Sequence, residues 1–294
     1  MTRLARVVLQ ALAALPLPLL HLLGSLLGRA MYWLSPKFRT QMRTNIANSK
    51  IAGSYQVCEQ LVKQSAAETG KGALELAIAW CQPPSYIGSL IRHCQGWEHV
   101  ETALAAGQGL IFVTPHLGSY DIAGRYISTR LPFPLTAMYR PPKLAWLEPI
   151  MNEGRQQGGT KTAPATAAGV RLLMKALKSG EATIILPDQV PGSGEGIWAQ
   201  FFGKPAFTMS LLPRLAQMDN VAVLWFTGER LPHGKGFVVH IAPQTQPFCG
   251  QREQDAAILN AEVEHLVRRF PSQYLWSYNR YKRPAGAPPA PETV

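Results

Sequence analysis

The sequence predicts an α/β protein: a mostly parallel or mixed central sheet flanked by helices, with an apolar N-terminal membrane-anchoring helix in front of it. Three observations carry that prediction. From Trp97 onward, short apolar runs bounded by turn residues alternate with stretches of helical periodicity. The run Leu110 to Val113 is continuously apolar rather than alternating, the pattern of a strand covered on both faces. Hydrophobic residues make up 47% of the 294, ample for a large core.

In chain order, Val7 to Leu27 is almost free of charge, and at about 1.5 Å per residue it is roughly long enough to cross a hydrocarbon core. Pro16 and Pro18 interrupt it, so two short helical pieces in a shallow or re-entrant anchor fit as well as one straight span. A cleaved signal peptide is the competing reading. Against it, apolar character continues through Met31, Tyr32, Trp33 and Leu34, and no small-x-small cleavage site follows. Arg29, Lys37, Arg39 and Arg43 come just after the run and place the bulk of the chain on the cytoplasmic side of a membrane. The expected organisation is an anchor over residues 1–36, one globular domain over 37–282 and a disordered Pro- and Ala-rich tail over 283–294.

Thr40 to Trp80 reads as helix, with Gly53, Gly70 and Gly72 as breaks and Pro83-Pro84 as its end. Trp97 to Ala106 leads into the strand at Leu110. Thr114 and Pro115 stop that strand, and a helix begins near Ser119 with Ile122, Ala123, Tyr126 and Ile127 on one face. Strands are expected over Leu135–Tyr139, Ala182–Leu186, Val221–Thr227 and Phe237–Ile241. Helices are expected over Lys143–Gln157, Ala167–Lys178, Met209–Met218 (capped by Thr208) and Glu253–Phe270.

A net charge of +11 implies an anionic partner, for which nucleic acid, acidic lipid and an acidic carrier protein all qualify. Cys58, Cys81, Cys94 and Cys249 are widely separated, so neither a zinc site nor a disulfide framework is indicated. The glycines after Pro191 match no phosphate-binding motif, and there is no G-x-S-x-G elbow of a serine hydrolase. Chemistry concentrates at strand ends, where open α/β sheets bind ligands. His116 sits between a strand and a helix, with Asp121 in the first helical turn, placed to accept a proton from one ring nitrogen and leave the other for substrate. Arg140 and Arg155 offer fork-shaped cationic donors that can hold a phosphate or polarise a carbonyl. Asp188, with Gln189 beside it, can bind substrate or organise those arginines. The aromatic and basic stretch Pro271 to Pro284 fits stacking on nucleic acid, a membrane interface or plain packing.

HLGSYD at His116–Asp121 resembles the His-x-x-x-x-Asp signature of the glycerolipid acyltransferase superfamily, and Phe201 to Ala206 resembles its apolar-Gly-x-Pro block. The segment PSQYLW at Pro271–Trp276, with Arg280-Tyr281-Lys282 after it, resembles the C-terminal signature of the bacterial lipid A late acyltransferases of lauroyl/myristoyl type. With YRPP at Tyr139, LPDQ at Leu186 and the apolar N-terminus, the resemblance spans nearly the whole chain. Asp121 stands where some members carry Glu, and Ser277 to Asn279 is less basic than usual. The resemblance implies a glycerol-3-phosphate acyltransferase-like fold and no cofactor or metal. It implies transfer of a fatty acyl chain from acyl carrier protein to a hydroxyl of an acylated lipid A precursor, at the cytoplasmic face of the bacterial inner membrane. The partners would be acyl carrier protein, the lipid A precursor and inner-membrane lipids rather than nucleic acid. Lysophospholipid or ornithine-lipid acyl transfer, and a non-catalytic basic protein of the membrane surface, are the alternatives.

Overall fold

The computed structural model describes residues 2–139, 145–157, 159–192 and 195–291. The chain opens with helices α1 (Thr2–Ala13), α2 (Leu17–Leu34), α3 (Pro36–Ser49), α4 (Tyr55–Cys81) and α5 (Pro84–Leu90). It continues through β1 (Ile91–Gln95), α6 (Trp97–Ala105), β2 (Gly109–Val113), α7 (Tyr120–Arg130) and β3 (Leu135–Tyr139). Then come α8 (Glu148–Gln157), β4 (Thr160–Pro164), α9 (Ala167–Lys178) and β5 (Ala182–Ile185). The last third holds β6 (Gly196–Phe201), β7 (Lys204–Met209), α10 (Leu211–Ala216), β8 (Val221–Arg230), β9 (Phe237–Pro243) and α11 (Arg252–Arg269).

Among the described residues seven strands form one sheet in the order β1-β9-β8-β2-β5-β3-β4. Every neighbouring pair is parallel except β8 and β9, so the sheet is mostly parallel, as the alternation of apolar runs and helices predicts. β2 is at its centre and buried at every position. Helix layers cover both faces: Leu173, Leu177, Leu212, Leu259 and Val263 pack on one, and Val100, Ala103, Ala123 and Ile127 on the other.

Four strands were not legible from the sequence. β1 and β4 are edge strands with exposed positions, so neither carries an apolar run. β6 and β7 pair as a separate antiparallel hairpin, which removes the Thr208 cap and shortens the helix expected over Met209–Met218 to Leu211–Ala216. The turn is Phe202-Gly203, both at positive φ (47° and 71°), the backbone that suits a two-residue hairpin. Strand pairing therefore runs through Thr208, which is buried, and α10 begins only at Leu211. Residues 283–291, read as a disordered tail, lie along this hairpin: Ala287 is buried, and the Trp198 indole N–H donates to the Pro288 carbonyl.

The N-terminal apolar stretch breaks where its prolines sit. α1 and α2 meet at a bend of 119°; among the described residues no single helix is long and apolar enough to cross a membrane, although this bent pair is by length and composition. Gly53 lies in the break between α3 and α4, but Gly70 and Gly72 are inside α4. Gly70 is a contact point instead, since a Cβ there would lie 2.0 Å from the Gly24 carbonyl oxygen of α2.

Behind the sheet, α4 supplies a buried ion cluster. The Glu75 carboxylate accepts from Arg230 Nε at 2.5 Å and its NH2 at 2.7 Å, from His21 Nε2 at 2.7 Å, and from the Ser119 hydroxyl at 2.7 Å. Arg230 also donates to Glu68 at 2.6 Å. Burial opposes the Glu75 charge, but Arg230 and His21 outweigh it and hold the carboxyl far below its ordinary value. Removing one partner would strand a buried charge, at a cost of roughly 3–5 kcal/mol. Arg230→Ala should therefore lower unfolding free energy by about that much in denaturant titration. Because the folded-state value of Glu75 is depressed, the contribution is fully present above the ordinary glutamate value of about 4.5 and is lost as pH falls below it. The wild type should lose stability with acidification over that range more steeply than Glu75→Gln.

Candidate active site

Val113 and Ile185, the last residues of β2 and β5, are direct partners in the parallel ladder. Three residues beyond each come His116 and Asp188, so the register itself brings these two side chains together. One carboxylate oxygen of Asp188 accepts from His116 Nδ1 at 2.8 Å, and the other accepts from the His116 backbone N–H at 3.0 Å. Ring and backbone of the histidine are thus held by one group. The Gln189 side-chain amide donates to His116 Nε2 at 3.1 Å. These partners define the neutral tautomer with the proton on Nδ1 and a lone pair on Nε2. The ring lies edge-on to Tyr120, with centroids 5.0 Å apart, and its side chain keeps 16% of its surface exposed.

Burial pulls the His116 imidazole toward neutrality, but the Asp188 charge, the hydrogen bond to it and the Asp121 charge outweigh it, and its pKa is raised above the ordinary value. Burial pushes the Asp188 carboxyl up; the His116 charge and hydrogen bonds, with Arg280 behind them, bring it below its usual range. Tyr274, beside Asp188, is pushed well above the ordinary phenol value by burial and by that carboxylate, and stays neutral.

The loop that presents His116 is clamped from two sides. Gly118 has φ +63°, and a Cβ there would lie 2.1 Å from the Gly228 carbonyl oxygen, so only glycine fits this approach to β8. The Ser119 N–H donates to that same carbonyl at 2.7 Å, and the Ser119 hydroxyl reaches Glu75. From the C-terminal side, the Leu275 N–H donates to the His116 carbonyl at 3.0 Å and the Gly118 N–H to the Gln273 carbonyl at 3.0 Å.

The sequence-predicted residues are distributed unequally over this geometry. The carboxylate on the His116 ring is that of Asp188, where the spacing had assigned that place to Asp121. Asp121 lies in the first turn of α7 and acts on the imidazole through its charge. Gln189 touches the His116 ring itself. Arg140 lies outside the described residues. Arg155 is on α8 next to Gly154, where a Cβ would lie 2.5 Å from the Trp80 carbonyl oxygen, so that helix packs against the end of α4; the Arg155 side chain is not described. The stretch Pro271 to Pro284 sends three large side chains into the core: Tyr274, Trp276 and Arg280 are buried, and Arg280 donates to the Phe207 carbonyl, Thr208 and Asn260. It packs behind the site and presents no stacking platform from those residues. Glu75, Arg230 and Ser119 had no place in the sequence-based site. The available signal was a Glu in an apolar helix and an Arg at the end of a strand, which mark a buried pair only once they are known to face one another. Among the described residues no cluster of His, Cys, Asp and Glu has the arrangement to hold a metal ion.

A histidine held by a carboxylate at the C-terminal edge of a mostly parallel sheet has the geometry of an oriented general base. The sequence matches the family described as bacterial lipid A biosynthesis acyltransferase over residues 1–283, and the chain belongs to that family. It is 27% identical over 274 residues to the lipid A biosynthesis palmitoleoyltransferase of Escherichia coli K12, covering 92% of this chain and 88% of that protein. It is 26% identical over 287 residues to the lauroyltransferase of the same strain, covering 96% and 91%. It is 29% identical over 266 residues to a lipid A biosynthesis acyltransferase of Haemophilus influenzae, covering 87% and 80%.

The electrostatics give a direct test. His116 should titrate above the ordinary imidazole range, observable by NMR of its ring protons. Asp188→Asn removes the dominant charge while leaving burial in place, so the titration should move to lower pH. Asp121→Asn should move it in the same direction by less. An unchanged midpoint in Asp188→Asn would rule out the ring–carboxylate contact.

Proposed function

We propose that the protein transfers a fatty acyl chain from an acyl carrier protein thioester to a hydroxyl of an acylated lipid A precursor, with His116 as general base. The observation that carries this reading is the pair of contacts on the His116 ring: Nδ1 is 2.8 Å from an Asp188 carboxylate oxygen, which assigns the proton to Nδ1, and Nε2 faces a single amide that an entering hydroxyl can replace. The hydroxyl gives its proton to Nε2 as its oxygen attacks the thioester carbonyl carbon. The tetrahedral intermediate then collapses, the C–S bond breaks, and the leaving thiolate takes the proton back from Nε2. Asp188 stabilises the imidazolium between those two steps, and the Asp121 charge adds to it. Gln189, displaced from the ring, remains close enough to orient the acceptor.

Arg140 and Arg155 are assigned to the acceptor phosphate or to the oxyanion, where a planar fork of donors is of most use. The net charge of +11 suits both a phosphorylated glycolipid and an acidic carrier. Family membership supports the acceptor, and the names of the relatives, palmitoleoyl- and lauroyltransferase, support a fatty acyl group as the cargo.

Acyl transfer measured with purified components, with lipid A mass spectra from cells with and without the protein, tests the reading. His116→Ala should lose on the order of 10²–10⁴-fold in kcat with fold intact, the usual worth of a general base. Asp188→Asn should lose a comparable amount, because the base loses its tautomer, and Asp121→Asn distinctly less. Full activity in folded His116→Ala would sink the mechanism, and an unchanged lipid A profile would sink the substrate.

The arginines separate by kinetics. Arg155→Lys should depress kcat far more than it changes the KM for donor, since a point charge does not reproduce the fork, with Arg140→Lys intermediate. If both variants alter only the donor KM, and added salt does the same to the wild type, the two residues belong to a carrier-docking surface instead.

A further inference from the structure

Helix α2 is apolar on the side that faces away from the protein. Its inner face, Leu17, Leu20, His21, Gly24, Gly28 and Tyr32, is buried. The opposite face at helical spacing is Leu19, Leu22, Leu23, Leu26, Trp33 and Leu34, and its exposure reaches 56% at Leu22, 71% at Trp33 and 83% at Leu34. A surface helix of a soluble protein carries polar residues there. The pattern extends into α1 through Leu4, Val7 and Val8; among the described residues, apart from Tyr55, Val57 and Leu172, every exposed large hydrophobic residue lies between Leu4 and Leu34.

The inner face decides how such a surface can meet a bilayer. A Cβ on Gly28 would lie 1.9 Å from the Ala66 carbonyl oxygen, so α2 touches the backbone of α4 there. The stretch of α4 it touches carries Lys63, Glu68, Lys71 and Glu75. Driving α2 through a membrane would drag these charges into hydrocarbon or tear the interface open, and each charge at the centre costs several kcal/mol. With 18 residues α2 is about 27 Å long, short of a full span, and the 119° bend turns α1 away from its axis. Along the edge of the apolar face, between α2 and α4, runs a cavity of about 570 Å³ lined in part by Ser25, Arg29, Trp33, Lys63, Lys71 and Glu68. Arg29 and Lys63, with Lys71 bonded to Glu68 at 2.5 Å, stand at the rim of an apolar surface with an indole beside them and match the chemistry of a phosphate headgroup whose acyl chains lie along α2.

We propose that α1 and α2 lie flat in one leaflet, outer face in the acyl chains, and that the Arg29–Lys63–Lys71 cleft receives the phosphate headgroup of an anionic bilayer lipid. This deepens the membrane association contained in the proposed function, and it is read without substrate or turnover, so the two can fail separately. Two measurements test it. In sealed inverted inner-membrane vesicles, a protease-cleavable tag on the N-terminus of the full chain should be cut without detergent, on the same side as the catalytic domain. A tag protected until lysis would mean that the helices span, and would overturn the proposal. In vesicle sedimentation, the wild type should bind phosphatidylglycerol-containing vesicles at least tenfold more tightly than Leu22→Glu/Leu26→Glu. Arg29→Glu/Lys63→Glu should lose at least tenfold on those vesicles only, not on pure phosphatidylcholine, and 0.5 M salt should mimic the loss. Circular dichroism and melting establish that the variants are folded. Unchanged binding by either folded variant, or a wild-type chain that ignores vesicles and dimerises through α2, would overturn it as well.

Discussion

One carboxylate holds the site together. Asp188 binds both the ring and the backbone of His116, so the loop cannot shift without also breaking the contact that fixes the tautomer. That double grip exists because β2 and β5 are parallel neighbours in register, with Val113 opposite Ile185. A slip of one residue would turn alternate side chains to the other face and separate the pair. The contact between His116 and Asp188 therefore rests on the hydrogen-bond ladder at the centre of the sheet.

The ladder alone leaves the far side of the loop open, and the Glu75–Arg230 pair closes it. Ser119, at the start of α7, joins Glu75; Arg230, at the end of β8, joins the same carboxylate; and Gln273 bonds the Arg230 backbone while its own carbonyl takes the Gly118 N–H. Four distant parts of the chain converge on one buried charge pair. The His21 contact brings in α2 as well, so the helix with the apolar outer face and the loop that carries His116 share an electrostatic anchor. A displacement of α2 would be felt at Ser119 through two hydrogen bonds.

Polarity is divided to match. Apolar exposure is concentrated in the first two helices, and a cleft with a net positive lining runs along their edge. In the C-terminal aromatic and basic stretch, by contrast, three large side chains turn inward: Trp276 packs against Tyr274 and Phe202, and Arg280 is buried among a carbonyl, a hydroxyl and an amide. Identical residue types serve opposite purposes in the two places, and the difference is whether another element covers them.

What the sequence by itself determined was periodic or local. The continuous apolar run of β2 marked a central strand, the 3.6-residue pattern located α7, α9 and α11, and the two prolines broke the N-terminal apolar stretch where the chain bends. His116 was legible because a histidine between a strand and a helix is placed by local geometry. Its partner was not. Asp121 is close in sequence, while Asp188 is next to it only because β5 lies beside β2 with β3 and β4 elsewhere in the sheet, and strand order is a property of the whole fold. The same reason hid the Glu75–Arg230 pair, whose members are 155 residues apart. It also hid the hairpin β6–β7 and the edge strands β1 and β4. Hydrophobic periodicity records which face of a segment is buried, but it carries no information on which distant segment does the burying, and the tertiary structure alone decides that.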